Sequence, residues 1–232
     1  MVFGLIVCAG RQSRFKSATP KALMSVGGET ILAKNKLPMA PYCDTVFTAC
    51  SAENESFFPD EGKLIVTSGK GSGDSVLGAL ELIGVCEGDA CFVLWGDALQ
   101  EPAIYATMRK AFRGRAIVPC VAERKPYVQI VQGGGYRVRA VFSKYGEPVT
   151  EGWHDLGVFL FDAPSLLAHL RQFRARYMDG NGRYGMPRHG NEFEFLDVFN
   201  ETGLEAEILP FPNGKDRSFN TVEEFERKFK ES

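Results

Sequence analysis

The stretch from Val7 to Gly28, VCAGRQSRFKSATPKALMSVGG, carries four basic residues, Arg11, Arg14, Lys16 and Lys21, among Gly, Ser and Thr, directly after an apolar run. These residue types suit phosphate. An arginine offers a planar fork of donors, and a lysine offers a compact point charge. Gly10 lets the backbone turn sharply and approach a ligand closely. Oriented backbone N–H groups in such a segment add anion affinity. A solvated basic loop is the competing reading. Neither G-x-x-x-x-G-K-[ST] nor G-x-G-x-x-G is present, so the familiar phosphate loops do not explain the segment.

Three further segments carry chemistry. Asp97 in WGDAL follows the apolar run ACFVLW directly. A carboxylate at a strand end is a good hard ligand for Mg²⁺, which binds one or two protein oxygens together with substrate phosphates; a simple Gly-Asp turn is the alternative. Asn220 in FNTVEEF offers a carbonyl oxygen to the same cation. It equally suits the N-cap of a last helix, with Glu223 completing a capping-box-like pattern. Gly71, Ser72 and Gly73 precede a helical pattern. Small residues there permit flat contact with a base, and a helix N-terminus favours an anion. A plain helix start capped by Ser72 or Asp74 is the other reading.

Elements that would position these residues follow from periodicity. FGLIVC, DTVFTAC, KLIVT and ACFVLW read as strands, the first and last buried on both faces. ETILAKNKLPMA, GDSVLGALELIGVC and EPAIYATMRKAF read as helices between and after them, the last with Pro102 near its first turn. That alternation predicts a parallel α/β sheet, in which ligands bind outside the carboxyl ends of the strands. After about residue 115 the pattern turns to strands: AIVPCVA, YVQIV, RVRAVF and DLGVFLFD, with a hairpin turn at QGGGYR. Helices are expected near Ala163 to Phe173 and Glu192 to Glu201, a loop from Tyr177 to Gly190, a strand at EAEILPF, and a helix after Asn220.

The fold expected is therefore three-layer α/β/α, with a mostly parallel, Rossmann-like sheet and a small antiparallel β insertion. One domain spans 1–232, with strand-helix alternation up to about residue 115 and a strand-rich part from about 116. The formal charge of −2 argues against a general nucleic-acid or membrane surface, so an anionic ligand must be met by local charge. The six cysteines form no CxxC pair and fit reduced, buried residues of a cytoplasmic protein. The N-terminal apolar run is too short for a secretion signal or a membrane span.

Taken together, these segments resemble the sugar-1-phosphate nucleotidyltransferases, especially the uridylyltransferase domain that makes UDP-N-acetylglucosamine. That family opens with a strand and L-A-A-G-x-G-T-R-M, then P-K. This chain reads Val7-Cys8-Ala9-Gly10-Arg11-Gln12-Ser13-Arg14-Phe15, and Lys21 of Pro20-Lys21 stands seven residues after Arg14, as in the family. The family's G-T-G looks like Gly71-Ser72-Gly73, and its Y-G-D like Trp95-Gly96-Asp97. Its N-T-G-I looks like Asp155-Leu156-Gly157-Val158, its Y-L-T-D like Phe195-Leu196-Asp197, and its second metal ligand like Asn220. Gln12 replaces a family glycine, Val128 stands in the family's Y-G pair after Tyr127, and Asp155 replaces an Asn. No hexapeptide repeats follow, so no acetyltransferase activity is expected.

The resemblance implies transfer of a nucleoside monophosphate from an NTP, UTP favoured, to a phosphorylated acceptor, a sugar 1-phosphate, with release of pyrophosphate. Arg14 would hold the leaving pyrophosphate, and Lys21 would sit between the α-phosphate and the acceptor phosphate. The half of about 1–115 would bind the nucleotide, through Ala9, Gly10, Arg11, Ser13, Gly71 and Ser72, and the half of about 116–232 would bind the acceptor. Asp97 and Asn220 would hold Mg²⁺, and Tyr127, Asp155 and Gly157 would meet the acceptor. The competing readings are a cytidylyltransferase for phosphocholine or another phosphorylated alcohol, a GT-A glycosyltransferase, and a non-catalytic nucleotide-binding module.

Overall fold

The computed structural model describes residues 1–10, 15, 17–59, 61–185, 192–212, 214 and 218–229. Strand β1 (Val2–Val7) is almost wholly buried. Its run is apolar without alternation because both faces are covered: Leu5 and Val7 belong to one core cluster, Ile6 and Cys8 to another. A short hairpin, β2 (Ser25–Val26) and β3 (Glu29–Thr30), leads into helix α1 (Ile31–Met39). Thr30 caps that helix by accepting the Ala33 N–H at 3.1 Å. Strands β4 (Thr45–Ser51) and β5 (Leu64–Thr67) follow. Helix α2 (Ser72–Ile83) buries Val76, Leu77, Ala79 and Leu80 and ends at Gly84, whose φ of 71° is left-handed.

Next come β6 (Ala90–Trp95) and α3 (Ala103–Ala111). Strands β7 (Ala116–Glu123), β8 (Val128–Gln132), β9 (Val138–Phe142), β10 (Gly152–Asp155) and β11 (Val158–Asp162) build the second half. Helices α4 (Ala163–Tyr177) and α5 (Asp197–Thr202), strand β12 (Ala206–Pro210) and helix α6 (Val222–Phe229) complete the chain.

Ten of the described strands form one sheet, in the order β5-β4-β1-β6-β11-β7-β10-β8-β9, with β12 paired to β7. β5, β4, β1 and β6 are parallel, as expected from the helix-strand alternation. β11 runs antiparallel between β6 and β7, and β10, β8 and β9 continue antiparallel. The sheet is therefore mixed, with a parallel core flanked by helices. One apolar cluster lies against α2, α4 and α5, and another against α1 and α3. No described helix is long and apolar enough to cross a membrane. Cys8, Cys50, Cys91 and Cys120 are buried free thiols, Cys43 is half-buried, and Cys86 is exposed.

Three local expectations change. DLGVFLFD is not one strand: Asp155 ends β10, Gly157 turns with φ +73°, and β11 starts at Val158. The Asp155 carboxylate accepts the Gly157 N–H at 3.0 Å, a local bond that holds the turn. The helix expected over Glu192 to Glu201 begins only at Asp197, because the backbone before it is spent on contacts with α2's start. The helix expected to end near Phe173 runs on to Tyr177.

Candidate active site

β1 has β4 on one side and β6 on the other. The chain passes from β1 to β4 and β5, then returns to β6, so the order reverses between β1 and β6. A crevice opens at such a reversal, outside the carboxyl ends of the strands. Here it is a cavity of about 540 Å³, lined by Ala9 and Gly10 after β1, by Gly71 and Ser72 at the start of α2, and by Gly96 and Asp97 after β6. That volume falls within the range of about 300–1,000 Å³ usual for small-molecule sites. Gly96 makes the junction possible. Its N–H donates to Val7 O at 2.9 Å, and a Cβ there would sit 3.1 Å from that oxygen and 2.5 Å from Cys8 Sγ. Burial pushes the Cys8 thiol far up, so this sulfur on the cavity wall stays protonated and is no nucleophile.

Lys21 and Asp97 meet directly. Lys21 Nζ donates to Asp97 Oδ2 at 2.9 Å and to the carbonyl oxygen of Phe219 at 2.7 Å. A third apolar cluster explains how the C-terminal segment reaches the site: Phe15 from the opening segment packs with Ile31, Phe219 and Phe225. The Phe15 and Phe219 rings lie 5.5 Å apart, and those of Phe219 and Phe225 lie 5.0 Å apart. This clasp sets Asn220 in the wall of the cavity that Asp97 also lines. The cap of α6 is shifted by one residue from expectation. Thr221 Oγ1 accepts the Glu224 N–H at 3.2 Å, and Glu224 accepts the Asn220 N–H at 2.6 Å. The Asn220 carboxamide is thus left out of the cap.

Gly71-Ser72-Gly73 makes contacts that the sequence does not announce. A Cβ on Gly71, at φ +113°, would lie 2.6 Å from the Phe193 nitrogen, and one on Gly73 would lie 2.6 Å from the Phe193 ring. The Gly73 N–H donates to Phe193 O at 2.9 Å, and Ser72 Oγ accepts the Phe195 N–H at 2.9 Å. Two glycines are needed so that the segment before α5 can lie across the start of α2. Neither Ser72 nor Asp74 caps α2; the Asp74 carboxylate accepts the Tyr184 hydroxyl instead. Gly10 differs: among the described residues, no atom lies within 4 Å of a Cβ built there.

The same cavity is lined by Tyr127, Asp155 and Gly157, and with them by Lys144, His154 and Glu194, which the sequence reading did not single out. Lys144 pairs with Glu194, and the Tyr145 hydroxyl donates to the same carboxylate at 2.9 Å. Burial, then the Glu194 charge, pushes the Tyr145 hydroxyl far up, so it stays a donor. Buried His154 donates from Nδ1 to Val128 O at 3.0 Å. The Trp95 ring packs edge-on against Phe195, and the Trp95 backbone N–H donates to Gly157 O at 2.9 Å, fixing the Gly157 turn at the end of β6. Arg11, Gln12, Ser13 and Arg14 lie outside the described residues.

Among the described residues, no group of three or more His, Cys, Asp or Glu gathers as a metal set. The Asp97 carboxylate and the Asn220 carboxamide, both in this cavity, are hard oxygen donors. Two such donors with substrate phosphates match the way Mg²⁺ is usually held.

A model of the MobA-like NTP transferase domain family matches residues 4–191. No curated protein matches the sequence. Among solved structures, the fold is similar to HddC from Yersinia pseudotuberculosis at 12% identity, with a TM-score of 0.66, covering 100% of this chain and 99% of that one. It is similar to a structure described as a glucose-1-phosphate thymidylyltransferase from Bacillus anthracis in complex with sucrose, at 15% identity and a TM-score of 0.69, covering 99% and 94%. It is also similar to the CTP:phosphocholine cytidylyltransferase LicC from Streptococcus pneumoniae, at 15% identity and a TM-score of 0.68, covering 99% and 98%.

Proposed function

This chain belongs to the MobA-like NTP transferase domain family and is a nucleotidyltransferase; from that premise we propose that it transfers a nucleoside monophosphate from an NTP, UTP favoured, to a sugar 1-phosphate and releases pyrophosphate. The observation that carries this reading is the convergence of Lys21, Asp97 and Asn220 on one cavity with Ala9, Gly10, Gly71 and Ser72. A phosphate oxygen of the acceptor attacks the α-phosphorus, the bond from that phosphorus to the β-phosphate oxygen breaks, and pyrophosphate departs. No covalent enzyme intermediate is needed, so positioning and charge neutralisation supply the catalysis.

In this reading, Lys21 turns its ammonium from Asp97 to the α-phosphate and the acceptor phosphate, and Arg14 holds the leaving pyrophosphate. Arg11 and Ser13 extend the nucleotide site, and Tyr127, Asp155 and Gly157 face the acceptor. Asp97 and Asn220 would hold Mg²⁺. When bound, the cation neutralises phosphate charge as it builds in the transition state. Six free cysteines support placing the protein in a reducing compartment, the cytoplasm.

The test is a pyrophosphate-release screen with UTP, CTP, GTP and dTTP, each against sugar 1-phosphates and phosphorylated alcohols. Release dependent on a sugar 1-phosphate supports the reading. Mg²⁺-dependent nucleotide binding without release for any acceptor overturns it.

A further inference from the structure

Lys144 sits in a receptor built for a cation. Its Nζ lies 4.7 Å from the ring centroid of Tyr145, 5.9 Å from that of Phe142 and 6.0 Å from that of Tyr127. Glu194 completes the ring of partners. Aromatic faces attract ammonium groups through their quadrupole, and such cages also recognise quaternary ammonium ligands. A carboxylate beside them adds charge. The pair is partly withdrawn from water, with side chains 22% and 21% exposed. The lysine's base is fixed as well. Ser143 donates to Tyr127 O through both its N–H, at 3.2 Å, and its hydroxyl, at 2.9 Å. Gly146 closes the short turn Ser143–Tyr145 at φ +78°. Tyr127, Phe142, Lys144 and Glu194 all line the same cavity as Asp97 and Gly71.

We propose that Lys144 is a specificity-determining residue: its tethered ammonium fills this cage, so the site takes phosphorylated acceptors with a neutral, hydroxyl-bearing moiety and rejects those carrying a quaternary ammonium. The proposal rests on the nucleotidyltransferase reading with a sugar-phosphate acceptor. It also assigns a physical reason for preferring that reading over a phosphocholine enzyme. With the lysine in place, a trimethylammonium group would meet a like charge and an occupied cage. Truncating the side chain leaves the Glu194 carboxylate and the Tyr127 and Phe142 rings on the cavity wall, with the Tyr145 ring beside them.

Tetramethylammonium chloride is titrated against the wild type, K144A and K144M at constant ionic strength, with binding followed by calorimetry and folding checked by thermal melting. K144A is expected to bind the cation about tenfold more tightly than the wild type, the scale of one good cation–π contact. K144M, which fills the space without charge, is expected to stay near wild type. Equal affinity of wild type and folded K144A overturns the proposal. A second arm compares kcat/KM for glucose 1-phosphate and phosphocholine. The wild type is expected to favour the sugar phosphate, and K144A to shift the ratio towards phosphocholine by about tenfold. A wild type that prefers phosphocholine overturns the proposal. Should neither acceptor release pyrophosphate with either protein, the acceptor reading fails, and the titration alone decides on the cage.

Discussion

Lys21 Nζ lies 2.9 Å from Asp97 Oδ2, across 76 residues of sequence. The same ammonium holds Phe219 O, so one side chain joins the opening segment, the end of β6 and the segment before α6. Its side chain is 12% exposed, against 31% for the carboxylate, so the pair is only partly desolvated. A fully buried pair would resist separation strongly. In the proposed reaction this one parts, the triphosphate offering the lysine a denser negative charge and the cation offering the carboxylate a divalent one.

If the pair is catalytic as proposed, its two members are needed for rate more than for fold. D97N keeps the shape and removes the charge; K21M keeps the length and removes the ammonium. Each is expected to lower kcat by roughly 10²–10³-fold, the usual loss for one electrostatic stabiliser. Melting temperatures are expected to move little, since partly exposed pairs contribute about 0–1 kcal/mol. Steady-state pyrophosphate release, read beside a thermal melt, checks both. Near-normal turnover by either variant removes that residue from the mechanism.

The glycines of the cavity wall proposed for the nucleotide separate ligand contact from self-contact. G71A requires a side chain at φ +113° and inside contact distance of the Phe193 backbone. It is expected to destabilise the protein by roughly 1–3 kcal/mol. G10A meets no described atom within 4 Å. It is expected to leave the melting temperature unchanged while raising KM for the nucleotide, because the added methyl group enters space proposed for the nucleoside. A G10A protein with unaltered nucleotide affinity would take Gly10 out of the binding site.

The parallel half was readable because buried strands are long apolar runs and their carboxyl ends collect the polar segments. Gly10, Ser72 and Asp97 lie in such segments, and the structure sets all three in the wall of one cavity. What stayed hidden depends on partners far away in sequence. β10 reads GWHD, with no alternation to mark a strand, and its register comes from pairing to Cys120–Glu123 and to Gln129–Ile130. Lys144 and Glu194 lie 50 residues apart, and nothing local links them. The capping box at α6 had two registers, Asn220 with Glu223 or Thr221 with Glu224, one residue apart. Only backbone geometry chooses the second. Phe15 and Phe219 are ordinary apolar residues until the fold stacks them.

Acid should loosen the contact between α2 and α4. Glu81 on α2 accepts Arg174 Nη2 at 2.8 Å, Arg174 Nη1 at 3.0 Å and Arg171 Nε at 2.9 Å, both arginines on α4. The Arg174 guanidinium, then Arg171, hold the carboxyl below its ordinary 4.5. Between the folded and unfolded values, the unfolded chain binds the proton and the folded one does not, so stability rises with pH there. The contribution is complete above about pH 4.5 and is lost as pH falls through the lower folded value. E81Q is expected to be less stable than wild type by about 1 kcal/mol or less at pH 7, given the partial exposure. That gap is expected to close as urea midpoints are taken at successively lower pH. A gap independent of pH would mean that packing, not charge, carries the effect.

The Phe15–Phe219–Phe225 clasp gives the sharpest test of how the C-terminal segment serves the site. Phe219 lines the cavity, whereas Phe225 belongs to the same cluster without lining it. F225A therefore alters the support of Asn220 and of the Phe219 carbonyl without touching the proposed ligands. Phe225 is 1% exposed, and truncating a buried phenylalanine costs about 3–5 kcal/mol where the whole fold feels the cavity. Here the cluster holds one terminal helix, so the expected first effect is release of α6, seen as faster amide exchange in Val222–Phe229 than in β1. Turnover, measured well below the melting temperature, is expected to fall by roughly 10–10²-fold, the scale of an ångström-sized misplacement of catalytic groups. F225L, which refills most of the volume, is expected to recover most of both. Loss of amide protection in α6 with undiminished kcat would show that the clasp stabilises the chain end without positioning the site.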